Sequence, residues 1–220
     1  MPTSPSGLLY VPSRIISPSR ISLDAYNAWY DDIHVRDVLE TSGINSAVRY
    51  ETAADSSPWP FLALYPVQDI QFFNTEEFAN IPSTSDALPG PTHSILDIAQ
   101  FDIRRYREVG RRQDSNMPAG PTSHLLVVEF DLPSHVNKSD GQAVLDWFCG
   151  IYSGGASQRV GVYEVFWAML YPDEKLDELP SYLALIEFDA DKSVYDEAIK
   201  EIQSVAKVGQ WKLHKAFNWS

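Results

Sequence analysis

The 220 residues carry 17 Lys+Arg against 30 Asp+Glu, a formal charge of −13 with the histidines neutral. That balance excludes a basic nucleic-acid-binding surface and makes an anionic membrane face an equally poor partner. At 44% hydrophobic and 21% charged, with 6 Trp, 11 Tyr and 10 Phe, the chain has the apolar stock of a globular protein with a large core, not of a disordered one.

Met1 to Gly7 is Pro/Ser-rich, without the charged and apolar regions of a secretory signal. Val160 to Leu170, the longest apolar stretch, carries Glu164 and is too short to cross a bilayer. The single cysteine, Cys149, has no intramolecular disulfide partner and reads as a small buried hydrophobe. The expectation is a soluble cytoplasmic protein with no nucleic-acid or membrane partner.

Taken in order, the pattern predicts a strand at Leu8 to Ile16 and a helix from Ser22, a plausible N-cap, to Thr41, with Gly43 as its stop. Strands follow at Ser46 to Thr52 and Phe61 to Val67, then a short helix at Thr75 to Ala79 and a strand from Ile95 to about Val109. Two turn-rich segments, Ile81 to Thr92 and Arg111 to Ser123, mix Pro, Gly and small polar residues. Beyond them come strand Leu125 to Phe130, helix Gly141 to Tyr152, strands Arg159 to Leu170 and Tyr182 to Phe188, helix Ser193 to Ala206 and strand Gln210 to Phe217.

Each half thus reads β-α-β-β-α-β, the ferredoxin-like unit. Phe61-Leu62-Ala63-Leu64 echoes Tyr182-Leu183-Ala184-Leu185, and Trp29-Tyr30 echoes Trp147-Phe148. One sheet face of such a unit lacks helices and needs a partner. The expected fold is therefore α+β, two tandem ferredoxin-like repeats packed as an intramolecular α/β barrel. Residues 1–112 would form the first repeat, 113–123 a linker and 124–220 the second.

Tyr26, Tyr30 and His34 stand at i, i+4 and i+8, so a helix places two phenols and an imidazole on one stripe, with Ile33 and Asp37 adjoining it. That stripe suits acid/base chemistry, or simply core packing. Asp102, Arg104 and Tyr106 share one face of their strand at a period of two, where a guanidinium can clamp a carboxylate or enolate, or pair structurally with its neighbouring Asp. Arg49, on the face opposite Tyr50, is a candidate for the same polar cluster. Arg104, Arg105, Arg107, Arg111 and Arg112 crowd one stretch, either steering an anion or offsetting nearby acids. His93, His124, His135 and His214 show no metal-ligand spacing, and neither nucleotide-binding glycine loops nor a nucleophile elbow occur. No metal and no cofactor is expected.

Ala25-Tyr26-Asn27-Ala28-Trp29-Tyr30-Asp31-Asp32-Ile33-His34, then Ser42-Gly43 and Ala47-Val48-Arg49-Tyr50, and later Phe101-Asp102-Ile103-Arg104-Arg105-Tyr106, resemble the EthD-like branch of the dimeric α/β barrel superfamily. Two departures stand out: Ile33 replaces the usual Glu before the helix-1 His, and Ser42-Gly43 replaces Pro-Gly. Asp31 is then the acid available to His34. With Trp147 aligned on Trp29, the second half carries Tyr152 opposite His34, which points to one working site and one structural half.

The resemblance implies a cofactor-independent lyase, cyclase or isomerase acting on a hydrophobic small molecule in polyketide or terpenoid tailoring. His34, Tyr30 and Arg104 would be catalytic, with Tyr26, Arg49, Asp102 and Tyr106 binding the substrate. The contrasting reading is a non-catalytic small-molecule-binding or stress-response barrel whose pocket holds a ligand or is filled by aromatics. Either form is expected as a monomeric pseudo-dimer or a homodimer.

Overall fold

Strand β1 (Gly7–Ile15) buries Leu8 and Tyr10 on one face and Leu9 and Val11 on the other. A strand apolar on both faces needs a layer on each side. The computed structural model, which describes residues 4–54, 57–115, 117, 120–152, 158–169, 178–188, 202 and 206–218, supplies both. One face looks into the lumen of a β-barrel and the other lies under helices.

The elements in chain order are β1, α1 (Leu23–Trp29), a π-helical turn (Tyr30–His34), α2 (Val35–Leu39), β2 (Ala47–Thr52), β3 (Phe61–Val67), a 3-10 turn (Ile70–Asn74), α3 (Glu76–Ala79), a 3-10 turn (Ile95–Asp97), β4 (Ala99–Phe101) and β5 (Ile103–Gln113). They continue as β6 (His124–Phe130), α4 (Gly141–Ile151), β7 (Gln158–Met169), β8 (Tyr182–Phe188) and β9 (Lys207–Phe217). The hydrogen-bonded order is β3-β2-β9-β6-β8-β7-β5-β1, and β1 pairs back onto β3, so eight antiparallel strands close a barrel. Short β4 extends the pairing of β1 beyond β5. The barrel falls into two runs, β5-β1-β3-β2 and β9-β6-β8-β7, joined at the β2–β9 and β5–β7 seams.

The period of two sorts the strands between two faces, apart from irregularities in the β5–β7 and β2–β9 pairings. Leu8, Tyr10, Val48, Tyr50, Leu62, Leu64 and Tyr106 meet Leu125, Val127, Tyr163, Leu183, Leu185 and Trp211 in the lumen. The opposite faces form two separate cores under helices. One gathers Leu9, Val11, Ala63 and Tyr65 with Tyr26, Trp29 and Tyr30; the other gathers Leu126, Val128 and Ile186 with Val144 and Phe148.

Ser22 caps the first helix as expected, its Oγ accepting from the Ala25 N–H at 3.2 Å. The predicted single helix is interrupted by the π turn, where the Val35 N–H reaches back to the Tyr30 carbonyl. One extra residue in the turn advances the following helix by about 100°. Gly43 serves a second purpose besides ending the helix, since a Cβ there would lie 2.1 Å from the Phe72 ring.

The expected strand from Ile95 is really a 3-10 turn, β4 and β5, and β5 runs on to Gln113 because Arg111 and Arg112 still pair with Gly161 and Val160. The expected helix Ser193 to Ala206 lies outside the described residues, apart from Ile202 and Ala206. Among the described residues no helix is long and apolar enough to cross a membrane.

Candidate functional site

Two cavities lie on opposite faces of the first-half sheet, and the candidate residues divide between them. Tyr26, Tyr30, His34 and Arg49 are on the helix side, whereas Asp102, Arg104 and Tyr106 face the lumen. Arg49 therefore does not join the Arg104 cluster: alternation along β2 sends Tyr50 into the barrel and Arg49 outward.

The helix-side cavity measures about 190 Å³ and is walled by Leu9, Val11, Trp29, Val38, Phe78, Ile95 and other apolar side chains, with Tyr30, Tyr65 and His34 as its principal polar groups. His34 stacks on Trp29, ring centroids 5.1 Å apart at 19°, and meets the Tyr30 ring edge-on at 5.1 Å. The Pro82 carbonyl accepts a hydrogen bond from its ring, and its Nδ1 is buried with no hydrogen-bond partner. Nε2 is thus the nitrogen that donates and Nδ1 the one that keeps a lone pair. Burial, reinforced by the Arg49 charge, pushes the imidazole pKa down to about 4, so the ring is neutral at physiological pH.

The Tyr30 and Tyr65 hydroxyls stand 3.4 Å apart, and burial drives both phenols well above their ordinary pKa. Tyr26 points aside, its hydroxyl donating to Ser13 Oγ at 2.9 Å. Behind Tyr30, the Arg49 guanidinium lies 4.3 Å from the ring centroid, donates to Asn27 Oδ1 at 2.9 Å and forms an ion pair with Asp31. Asp31 was the acid available to His34; it is instead committed to Arg49, to His214 at 3.2 Å and to Lys215 at 3.4 Å. Burial would raise its pKa, but Arg49 and His214 outweigh that and hold it below the usual carboxylate value.

His214 reaches Asp31 from the other half because β9 carries an irregularity there. Arg49 faces Lys215 and Tyr50 faces Leu213, leaving His214 as the extra residue of a bulge.

The lumen cavity is larger, about 530 Å³, and opens at one end of the barrel among Tyr10, Trp59, Asp102, Arg104, Glu129 and Trp211. Arg104 Nε donates to Asp102 at 2.9 Å and its Nη1 to Glu129 at 2.9 Å. Burial would lower the guanidinium pKa, but the two carboxylates outweigh it and lock the charge in place. Three further arginines of the run offset acids or stack. Arg105 lies 3.9 Å over Trp167, Arg107 pairs with Glu164, and Arg111 pairs with Glu108 at 3.0 Å. Among the described residues no group of three or more His, Cys, Asp or Glu is arranged to hold a metal.

Sequence reading missed Tyr65, Asn27, Ser13 and His214 on the helix side and Trp59, Glu129 and Trp211 at the lumen mouth. Tyr65 had a signal, since it shares the Phe61-Ala63-Tyr65 face of its strand. The others depend on long-range register.

No model of a known protein family matches the chain. Core atranone cluster protein 1 of Stachybotrys chlorohalonatus is 31% identical over 125 residues, covering 56% of this chain and 53% of that protein. The chain thus spans about half the length of the curated relative it matches. Among solved structures it is similar to a chlorite dismutase variant from Candidatus Nitrospira defluvii in complex with cyanide, with TM-score 0.59, 7% identity, and 96% and 92% of the two chains covered. It is also similar to a monooxygenase-like protein of Fusobacterium nucleatum, with TM-score 0.54, 10% identity, and 98% and 95% covered. For an anthrone oxidase-like protein the TM-score is 0.53 at 10% identity, with 98% and 94% covered. At such identities the likeness is one of fold: an α+β architecture whose eight-stranded antiparallel barrel is closed within this single chain.

Proposed function

We propose that this protein is a secondary-metabolite tailoring enzyme that moves protons on a hydrophobic small molecule held in the helix-side cavity. The chain would consist of two β-α-β-β-α-β repeats, 1–112 and 124–220, joined through 113–123. Its affiliation would be the EthD-like branch, and its substrate a polyketide or terpenoid. The likeness to an atranone cluster protein supports this metabolic setting.

The observation that carries the chemistry is His34, a lining residue of a mostly apolar cavity, whose Nδ1 is buried and has no hydrogen-bond partner. A lone pair there is complementary to an enol or phenol hydroxyl, or to an acidic C–H beside a carbonyl. Tyr30 and Tyr65 stay protonated and supply donors to an oxygen on which negative charge develops. Arg49, stacked on Tyr30 and anchored by Asp31, acts as a positioning residue.

The lowered His34 pKa disfavours imidazolium in this pocket, so a proton taken up by His34 is readily given back to the substrate. Isomerisation and cyclisation by carbanion addition balance in that way, without an external oxidant; decarboxylation does so when the substrate enters as the neutral carboxylic acid, whose proton His34 takes and returns to carbon as CO2 leaves.

The test is conversion of pooled polyketide and terpenoid metabolites, followed by mass spectrometry, with wild type, His34→Ala and Tyr30→Phe whose folding circular dichroism has verified. His34→Ala is expected to lose about 10²- to 10⁴-fold in rate, the range of positioned acid/base groups. Undiminished conversion by His34→Ala overturns the acid/base reading. A second reading, the non-catalytic binding barrel, is favoured by the cavity's volume, which falls below the roughly 300 Å³ common for drug-sized sites. Ligand capture without turnover by wild type would establish it.

A further inference from the structure

From the lumen mouth we infer a second binding site, distinct from the His34 cavity, for a small primary amine carried on a flat apolar body. The cavity exists because the two halves differ where their strands correspond. Tyr10 of β1 faces Arg104 of β5, and Val127 of β6 faces Gly209 of β9. Gly209 leaves open the space that a side chain would fill, and a Cβ there would already press on the Trp211 indole, 2.9 Å from its Nε1.

The floor of this space favours a cation. Arg104 is fully engaged by Asp102 and Glu129, so the three buried groups sum to a net negative charge. An anion would have to break those contacts to reach the guanidinium. Glu129, 8% exposed, accepts from Arg104 through Oε1, while its buried Oε2 accepts no hydrogen bond. What Oε2 faces is the Lys207 ammonium at 3.7 Å, on a side chain 77% exposed to solvent. Lys207 is therefore a tethered stand-in for the ligand's own ammonium group.

The walls suit the rest of the molecule. Tyr10, Trp59 and Trp211 line the cavity with aromatic surface for a planar body and for cation–π attraction. At the rim, Arg14 is already spent on Trp59, 5.0 Å from its ring, and on Gln100 at 2.7 Å. The site commits to amines over isosteric alcohols and carboxylates because only a charged donor both satisfies Oε2 and offsets the floor charge.

Calorimetric titration with benzylamine, benzyl alcohol and benzoate tests this inference without reference to turnover. Benzylamine is expected to bind wild type about tenfold more tightly than benzyl alcohol, with benzoate undetected. Lys207→Ala removes the tethered competitor from an exposed position and is expected to tighten benzylamine binding by about three- to tenfold. Gly209→Leu fills the space and should abolish binding, while His34→Ala, on the other face of the sheet, leaves it unchanged. The inference is overturned if benzoate or benzyl alcohol binds as well as the amine, if Lys207→Ala weakens binding, or if neither wild type nor Lys207→Ala binds benzylamine at millimolar concentration. None of these outcomes bears on proton transfer at His34, so the two sites stand or fall separately.

Discussion

The helix-covered cores of the two halves occupy corresponding places and are built of opposite materials. Arg49 pairs across the sheet with Ala63, and Val162 with Ala184; the next residues, Tyr50 and Tyr163, pair with Leu62 and Leu183. The strands are thus in the same register, Arg49-Tyr50-Glu51 against Val162-Tyr163-Glu164. On the helices, Tyr30 and Asp31 of the first half correspond to Phe148 and Cys149 of the second.

Among the described residues the second core gathers aliphatic and aromatic side chains, with Phe130 stacked on Phe148 at 5.0 Å and on Tyr182 at 5.6 Å. In the first, a buried guanidinium, its carboxylate and a neutral imidazole take the place of such packing. Among the described residues, one half holds polar groups beside a cavity while the other packs apolar side chains in the corresponding place.

The sharpest way to break this contrast is to move the charge. Val162→Arg puts a guanidinium into a core with Cys149 where Asp31 would stand, and is expected to cost more than about 5 kcal/mol or to prevent folding, as read by urea denaturation. The reverse change, Arg49→Val, strands Asp31, yet His214 and Lys215 remain beside that carboxylate. A loss of about 3 kcal/mol is expected, at the low end for breaking a buried pair.

His34 sharpens the comparison through pH. It titrates near 6.5 when unfolded and near 4 when folded, so between those values the unfolded chain holds the extra proton. Stability should therefore rise from pH 4 to 6.5 and then level, with this residue contributing about 3 kcal/mol that acid removes. His34→Gln should flatten that part of the wild-type profile, and an unchanged slope would refute a buried neutral imidazole. The smallest effect expected is for Tyr26→Phe, which leaves Ser13 without its donor and should cost about 1 kcal/mol by thermal denaturation.

Much of the scaffold was legible because it depends on local periodicity. Alternation located both Tyr182–Phe188 and Phe61–Val67, and correctly put Asp102, Arg104 and Tyr106 on one face. What alternation cannot say is which face becomes the lumen, and that choice separated Arg104 from His34. Helical spacing brought Tyr30 and His34 together but not the π turn they bracket, in which His34 stacks on Trp29 and the Tyr30 hydroxyl meets that of Tyr65. The diversion of Asp31 from His34 depends on a bulge in β9, a partner no local pattern reveals. Glu129 at the lumen mouth was invisible for the same reason, since it meets Arg104 only when the barrel closes.

The β2–β9 seam ties the order of assembly to the full length between its strands. Asp31 and His214, bonded across it, are 183 positions apart. During synthesis the edge of β2 emerges long before β9 exists to cover it, and an uncovered strand edge is a template for pairing with other chains. Loop-closure entropy makes such distant pairing slow. The helix-side cavity of the first half can form early from nearby segments, but Arg49 receives its complete set of charged neighbours only when the seam closes. Completion of this polar cluster is thereby coupled to closure of the barrel, and a trapped first half would leave the β2 edge open to aggregation.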